Sequence, residues 1–175
     1  FRLEMSHESS DEKEGVPPED SLIFLEINNL SKLGVKGKWS EMKRIGGFPW
    51  DFLVTVQNHG KKKILCVQLD CNKSDEASVW FCVTSFWICL VNQDDPQNSI
   101  RKEYHKQFES LENNVCTEKE LIDMEKILDP TLGFIKDDKI IVQVRVVIEE
   151  EENGDRFRPL PVIEMFLPLN GVTSS

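Results

Sequence analysis

The apolar positions of this chain recur mainly at every second residue, the spacing that predicts β-strands rather than helices. The runs with this pattern are 21–30, 39–45, 48–57, 64–71, 79–92 and 139–149. Runs 21–30 and 79–92 are apolar on both faces, so we expect both faces of these strands to be covered. Turn-forming sequences such as Asn58-His59-Gly60 separate the runs, as expected for antiparallel strands joined by short loops.

One segment has the helical pattern instead. Thr117 and Glu120 are spaced as in a capping box, and apolar residues follow at helical spacing until Pro130. The sequence therefore predicts one short helix that begins near Thr117. Several strands, the turn sequences between them and a single helix favour an all-β antiparallel sandwich or barrel.

The two ends of the chain differ from its middle. Residues 1–20 are rich in acidic residues and lack apolar periodicity, which predicts a flexible acidic tail or linker. Residues 21–150 carry the strand pattern and are predicted to form one domain. Residues 151–175 are predicted to be a C-terminal extension, in which 162–167 forms either a last strand or part of a linker.

Charge and cysteine content narrow the class of protein. The net charge of −10 disfavours binding to DNA or RNA, and no apolar run reaches the roughly 18 residues that predict a membrane span. The 5 cysteines include no Cys-x-x-Cys pair, which predicts reduced thiols packed as small hydrophobes rather than disulfides or a zinc site. With no secretory leader visible, these features predict an intracellular location, in the cytoplasm, the nucleus or both.

The sequence contains no recognisable catalytic motif. The candidate nucleophile–base pairs combine Cys66 or Cys116 with His59 or His105. No motif supplies an oxyanion hole or a third group to orient the base. Gly46-Gly47 lacks the Lys-Ser/Thr and the helix of a phosphate-binding loop. We therefore expect a protein that is not an enzyme and needs no cofactor or metal.

Five blocks of sequence occur in the order and spacing of a known domain family. They are Phe24–Ser31, Trp39–Glu41 with Ile45–Trp50, Leu65–Asn72, Trp80 with Phe86–Asn92, and Ile127–Ile140. Together they resemble the MATH (meprin and TRAF homology) domain, in the form found in the expanded nematode-like group of MATH and BTB-MATH proteins. The resemblance implies a TRAF-like, eight-stranded antiparallel β-sandwich with one short helix.

The resemblance also implies a non-enzymatic domain that binds peptides. Members of the family lay an extended partner segment along an edge strand, which adds backbone hydrogen bonds, while shallow pockets recognise side chains. Carried over to this sequence, the candidate groove residues are Gln68, Asp70, Phe86, Cys116, Thr117, Glu118 and Lys119. For Phe86, ordinary core packing is an equal alternative, because Phe86 shares the parity of Trp80 and Ile88.

The sequence departs in two places from the pattern of the substrate-adaptor members. Cys116-Thr117-Glu118 stands where those members carry Trp-Gly-Phe, and Gln68 takes the place of another aromatic groove residue. Buried aromatic residues usually dominate such interfaces. This groove is therefore predicted to bind a different, more polar motif, or to bind no peptide in this mode.

The resemblance implies protein partners rather than nucleic acid or membranes. Family members joined to a BTB domain deliver substrates to cullin-type ubiquitin ligases, and others precede a deubiquitinase catalytic domain. The expected function is therefore that of an adaptor that brings a partner to a ubiquitin ligase or deubiquitinase assembly. The alternative is a structural, scaffold-type TRAF-like sandwich without peptide binding.

Overall fold

The computed structural model describes residues 21–73, 79–110 and 113–152, so the predictions for segments 1–20 and 153–175 lie outside the described residues. The strands are β1 (Leu22–Asn28), β2 (Lys38–Trp39), β3 (Lys43–Ile45), β4 (Phe48–His59), β5 (Lys62–Cys71), β6 (Phe81–Leu90), β7 (Ile100–Glu109), β8 (Val115–Asp123) and β9 (Lys139–Glu152). The α-helix of these residues, α1 (Met124–Leu128), follows β8 directly. Each run predicted from alternation contains strand residues. Within the described ranges no helix is long and apolar enough to cross a membrane.

The strands form two antiparallel sheets. The first sheet has the order β1-β9-β6-β7, and the second has the order β2-β4-β5-β8, with β3 also paired to β4. β2 and β3 pair with different parts of the β4 edge that lies opposite β5, so together they occupy one strand position. Counted in this way, the described residues form eight strand positions with one short α-helix, which confirms the predicted antiparallel β-sandwich.

Aromatic side chains from both sheets fill the space between them. Trp50 of β4 meets Phe108 of β7 edge to face, with 4.9 Å between the ring centroids. Phe48 of β4 lies 5.5 Å from Trp80, which directly precedes β6. All four side chains are buried. The two-residue period therefore directs one face of each central strand into a shared core.

The cysteines belong to this core or lie at its margin. All are free thiols in the structure, as predicted, and the buried ones are Cys66, Cys71, Cys82 and Cys89. Cys116 is partly buried against the core. Burial raises the pKa of the Cys66, Cys89 and Cys116 thiols, which favours the neutral form.

The prediction of a helix beginning near Thr117 is wrong. Residues Val115–Asp123 form strand β8, and α1 begins only at Met124. β8 pairs with β5 in a register that places Thr117 opposite Gln68. A capping box contributes only about 1 kcal/mol, and it acts locally. Pairing with β5 provides a ladder of backbone hydrogen bonds, so the sheet determines the conformation of this segment.

The expectation that β1 and β6 are covered on both faces is also wrong. Phe24 of β1 is 50% exposed, and Phe81, Val83 and Trp87 of β6 are only partly buried. These side chains lie on the outer face of the first sheet, away from the core. Antiparallel sheets commonly leave one face in contact with water, and this sheet presents a mixed apolar and polar surface there.

Gly133 is a position at which the loop before β9 requires a glycine. Its φ is +84°, and a Cβ there would collide with the side chain of Asn92, which is buried and donates to the Leu132 carbonyl at 2.7 Å. Gly47 has a similar φ of +79°, but a Cβ there would meet open space.

We therefore expect Gly133→Ala to lower the free energy of unfolding more than Gly47→Ala does. The control substitution should cost about 1 kcal/mol, from backbone strain alone. Gly133→Ala adds the displacement of Asn92 to the same strain. Urea denaturation of both variants measures the difference, and equal losses would show that Asn92 moves aside without cost.

Candidate functional site

β8 is an edge strand of the second sheet, with β5 as its neighbour. The N–H of Cys71 donates to the carbonyl of Asn114 at 2.9 Å, which identifies these two residues as a hydrogen-bonded pair of the ladder. Such pairs alternate with non-hydrogen-bonded pairs in antiparallel sheets. In the observed register, the peptide groups of Val115 and Thr117 therefore point away from β5. β8 thus presents outward-pointing N–H and C=O groups at its edge.

Polar side chains lie beside this edge on the outer face of β5. Gln68 lies opposite Thr117, and Asp70 lies opposite Val115. Gln68 Nε2 donates to Asp70 Oδ1 at 2.9 Å. Burial raises the pKa of the Asp70 carboxyl, opposed by the hydrogen bond from Gln68 and reinforced by the nearby Asp51 carboxylate. The structure therefore brings Gln68, Asp70 and the exposed Thr117 together on one face.

Phe86, Cys116 and Glu118 face the interior of the sandwich instead. Phe86 is only 3% exposed and stacks on Tyr104 of β7, with 5.0 Å between the ring centroids. Its position is therefore that of a core residue. The Tyr104 hydroxyl donates to the Glu118 carboxylate, and Lys102 Nζ lies 3.2 Å from a carboxylate oxygen of the same residue. Glu118 thus connects β8 to β7 on the inner side of the edge.

The hydrogen bonds to Glu118 affect its ionisation and that of its partner. Burial by itself would raise the pKa of the Glu118 carboxyl, but hydrogen bonds from Tyr104, from the Glu120 N–H and from Lys102 outweigh it and hold this pKa below its ordinary value. Burial, followed by the hydrogen bond to the Glu118 carboxylate, raises the pKa of Tyr104. Tyr104 therefore remains a protonated donor at neutral pH.

We expect Tyr104→Phe to destabilise the fold by about 1 kcal/mol at neutral pH, because it removes the hydroxyl and keeps the aromatic stack. A carboxyl group with a lowered pKa in the folded state stabilises the protein above its unfolded pKa, and the contribution is lost as the pH falls through the folded pKa. The difference between wild type and variant should therefore shrink below about pH 4. Urea denaturation over a pH series measures it, and a constant difference would exclude a role for ionised Glu118.

Lys119 lies in an irregular part of β8. The register between β5 and β8 shifts between Leu65 and Val67, and the Cys66 thiol donates to the Lys119 carbonyl at 3.0 Å. The Lys119 side chain is exposed. The regular part of the edge is therefore short and centres on Val115 and Thr117.

Two lysines of β7 also reach this edge, and neither was identified from the sequence. Lys106 Nζ donates to the Val115 carbonyl, and Lys102 Nζ donates to the Glu120 carbonyl at 2.8 Å. Lys102, Tyr104 and Lys106 stand at every second position of β7, and this spacing is the only sequence signal that places the three side chains on one face. Lysines at sheet edges commonly hinder unwanted strand pairing. The β8 edge is thus open at Thr117 and partly occupied on either side.

The described residues form two antiparallel sheets around one core, and one edge strand presents outward-pointing peptide groups. This architecture is that of a two-sheet β-sandwich domain. The chain belongs to the MATH domain family, whose family model matches residues 23–146. The match confirms the resemblance that the sequence blocks indicated.

Two plant proteins are similar to this chain over most of its length. Ubiquitin C-terminal hydrolase 13 of Arabidopsis thaliana is 27% identical over 143 residues, which cover 78% of this chain and 12% of the relative. Ubiquitin C-terminal hydrolase 12 of the same species is 27% identical over 127 residues, which cover 71% of this chain and 11% of the relative. The chain therefore spans only a small part of each relative's length.

Among solved structures, the Salmonella enterica trimeric lipoprotein SadB matches 74% of this chain and 62% of its own, with a TM-score of 0.39 and 9% sequence identity. At that TM-score the likeness carries no argument about this protein.

Proposed function

We propose that this domain is a non-catalytic recognition module that binds an extended segment of a partner protein at the β8 edge. MATH domains are protein-interaction domains, and this family membership provides the general function. The observation that supports the specific mode is the outward orientation of the Val115 and Thr117 peptide groups beside the polar face of β5. A partner strand added there would gain backbone hydrogen bonds from both residues.

The side chains beside the edge favour a polar partner segment. Gln68 and Asp70 occupy the face next to Thr117, and Gln68 stands where the substrate-adaptor members carry an aromatic residue. The Asp70 carboxylate accepts hydrogen bonds, so we expect the bound segment to offer a hydroxyl or amine donor at this point. Phe86 is buried against Tyr104, and we do not expect it to touch the partner.

The relatives supply the cellular context of the proposal. Both are named ubiquitin C-terminal hydrolases, and the part that matches this chain is small. The domain would therefore bring a partner to an assembly of the ubiquitin pathway, either a deubiquitinase or a cullin-type ubiquitin ligase, in the cytoplasm or nucleus. The catalytic step would belong to another part of such an assembly.

A peptide array followed by amide hydrogen exchange tests the proposal. Peptides that bind the chain are expected to protect the amides of Val115 and Thr117, because these N–H groups become donors to the added strand. The amide of Cys116 already points toward β5 and serves as the internal reference. Protection confined to the outer edge of β1, or the failure of every peptide to bind, would contradict the proposal.

A scaffold without peptide binding is the second candidate function. The observation in its favour is that Lys106 and Lys102 already bond to two carbonyl groups of β8. If these bonds persist, the edge is protected rather than offered to a partner. The same array separates the candidates, because the scaffold predicts that no extended peptide binds.

A further inference from the structure

The outer face of the first sheet carries an aromatic ring between two arginines. Trp87 of β6 pairs in register with Arg145 of β9, whose guanidinium carbon lies 5.7 Å from the ring centroid. Arg101 of β7 approaches from the other neighbouring strand, with its guanidinium carbon at 4.8 Å. We call Arg145, Trp87 and Arg101 the Arg–Trp–Arg surface. It lies on the other sheet from the β8 edge.

An open cavity of about 510 Å³ lies over this surface. Besides Trp87 and the two arginines, the residues that line it are Ser85, Phe86, Glu103, Tyr104, His105 and Val147. Ligand-binding cavities commonly measure about 300–1,000 Å³ and combine apolar walls with a few polar groups. The cavity therefore has the size and the mixed lining of a site that receives a side chain or a short segment.

Arg145 lines this cavity, and no acidic side chain of the described residues forms an ion pair with it. Its Nε is buried and makes no hydrogen bond with the described residues. Arg101, by contrast, lies 2.6 Å from Glu103. The two terminal guanidinium nitrogens of Arg145 also make no hydrogen bond with the described residues, and they are not buried. An anionic oxygen placed in the cavity, which Arg145 lines, would give these two nitrogens an acceptor.

We propose that the Arg–Trp–Arg surface binds a glutamate or aspartate side chain on an extended acidic segment of a partner protein, with the carboxylate accepting hydrogen bonds from Arg145. Arg guanidinium groups match carboxylates in geometry and bind them with two parallel hydrogen bonds. The indole of Trp87 holds both arginines by cation–π contacts, so less side-chain freedom is lost when the carboxylate binds.

The charges around the cavity favour a carboxylate over a phosphate group. Glu103 lines the cavity and lies 2.6 Å from Arg101, whereas Glu149 accepts a hydrogen bond from Ser85 and lies 2.8 Å from His105. The Glu103 carboxylate offsets the charge of Arg101 and leaves Arg145 as the arginine of this surface without an ion pair to the described residues. A singly charged carboxylate matches this one guanidinium, whereas a phosphate with nearly two negative charges would meet about twice the repulsion from Glu103.

The negative charge of the whole chain does not exclude such a ligand. The net charge is −10, but at physiological ionic strength charges are screened beyond about 8 Å. Contact with Arg145 lies within that distance, so the groups that line the cavity, rather than the net charge, dominate the electrostatic part of the binding energy. Distant acidic residues slow the approach of an acidic peptide and make binding sensitive to salt.

Titration of the full chain with a synthetic peptide of alternating serine and glutamate residues tests this inference, with a matched serine–glutamine peptide as the control ligand. We expect the indole N–H signal of Trp87 to shift in NMR spectra with the glutamate peptide alone, while the signals of buried Trp50 and Trp80 stay in place. Arg145→Met should weaken binding at least about tenfold, because it removes a charge-assisted hydrogen bond and keeps the aliphatic packing.

Arg44→Met is the matched control variant, because it removes an exposed arginine from β3 on the other sheet, and it should change the affinity less than about twofold. Thermal unfolding of both variants establishes that the fold persists.

Equal binding of the glutamine peptide, unchanged affinity in Arg145→Met or no binding to the wild type would overturn the inference. Tighter binding of a serine–phosphoserine peptide, or self-association that Arg145→Met abolishes, would assign the surface to a different occupant and overturn it as well. Thr117→Pro should leave this affinity unchanged, so the result is independent of the β8 edge.

Discussion

Replacing Thr117 with proline is expected to abolish the binding of a partner strand at the β8 edge while the sandwich remains folded. The Thr117 N–H points away from β5, so proline removes no hydrogen bond of the β5–β8 ladder. The Thr117 side chain is exposed, so the substitution removes no buried packing. A partner strand, however, would lose its central donor and meet the proline ring, and we expect affinity to fall at least about a hundredfold.

Thr117→Val is the matched control, because valine keeps the backbone N–H and the branched shape of threonine. Its affinity for the same peptide should stay close to that of the wild type. Calorimetric titration of the peptide into all three proteins makes the comparison, and urea denaturation should show nearly equal stability. Full binding by the proline variant would mean that the partner uses another surface.

Replacing Trp50 with alanine is expected to cause the largest loss of stability, about 3–5 kcal/mol. Trp50 is fully buried on β4, and its ring meets Phe108 of β7, so it joins the two sheets at the centre of the core. The substitution removes this contact and leaves a cavity between the two sheets. Since whole domains are stable by only about 5–15 kcal/mol, the variant should unfold at a much lower urea concentration.

Trp50→Phe separates ring packing from the polar part of the indole. The Trp50 Nε1 is buried and makes no hydrogen bond with the described residues, so phenylalanine gives up some volume but also removes an unsatisfied donor. We expect it to cost less than half of the alanine effect. A loss equal to that of Trp50→Ala would mean that the indole N–H contributes an interaction of its own.

The strands that bury one face could be predicted from the sequence. In β5, the alternating side chains Leu65, Val67 and Leu69 are all buried at the core, as their spacing requires. β9 likewise follows its alternation and lies between β1 and β6. Burial of a continuous apolar face leaves a period of two in the sequence, so these elements are readable without tertiary information.

β7 and β8 could not be predicted in the same way. β7 places Lys102, Tyr104 and Lys106 on its inner face and charged or polar residues on the other, so neither face has an apolar row. β8 carries a capping-box sequence that predicts a helix, yet it pairs with β5. Both are edge strands, where partly buried polar side chains replace apolar ones, and that is where local patterns are least informative.

Which candidate groove residues face outward and which face the core also depends on how the strands pair. Gln68, Asp70 and Thr117 share one outer face because β5 and β8 pair in a particular register. Phe86 is buried on Tyr104, so of its two alternatives core packing describes its position. The pairing register of β5 and β8 cannot be predicted from the sequence pattern. The groove residues inferred from the family remain a prediction, which a peptide-binding experiment tests.

The sequence alone predicted an all-β antiparallel sandwich or barrel, because apolar alternation follows from which faces are buried. The resemblance of five sequence blocks to the MATH domain then selected the sandwich. Tertiary structure alone decided that Val115 and Thr117 present their peptide groups at an edge, and that Trp87 lies between Arg101 and Arg145. These arrangements join residues far apart in the chain. Strand order and register create them, and neither is encoded in the local pattern of any one segment.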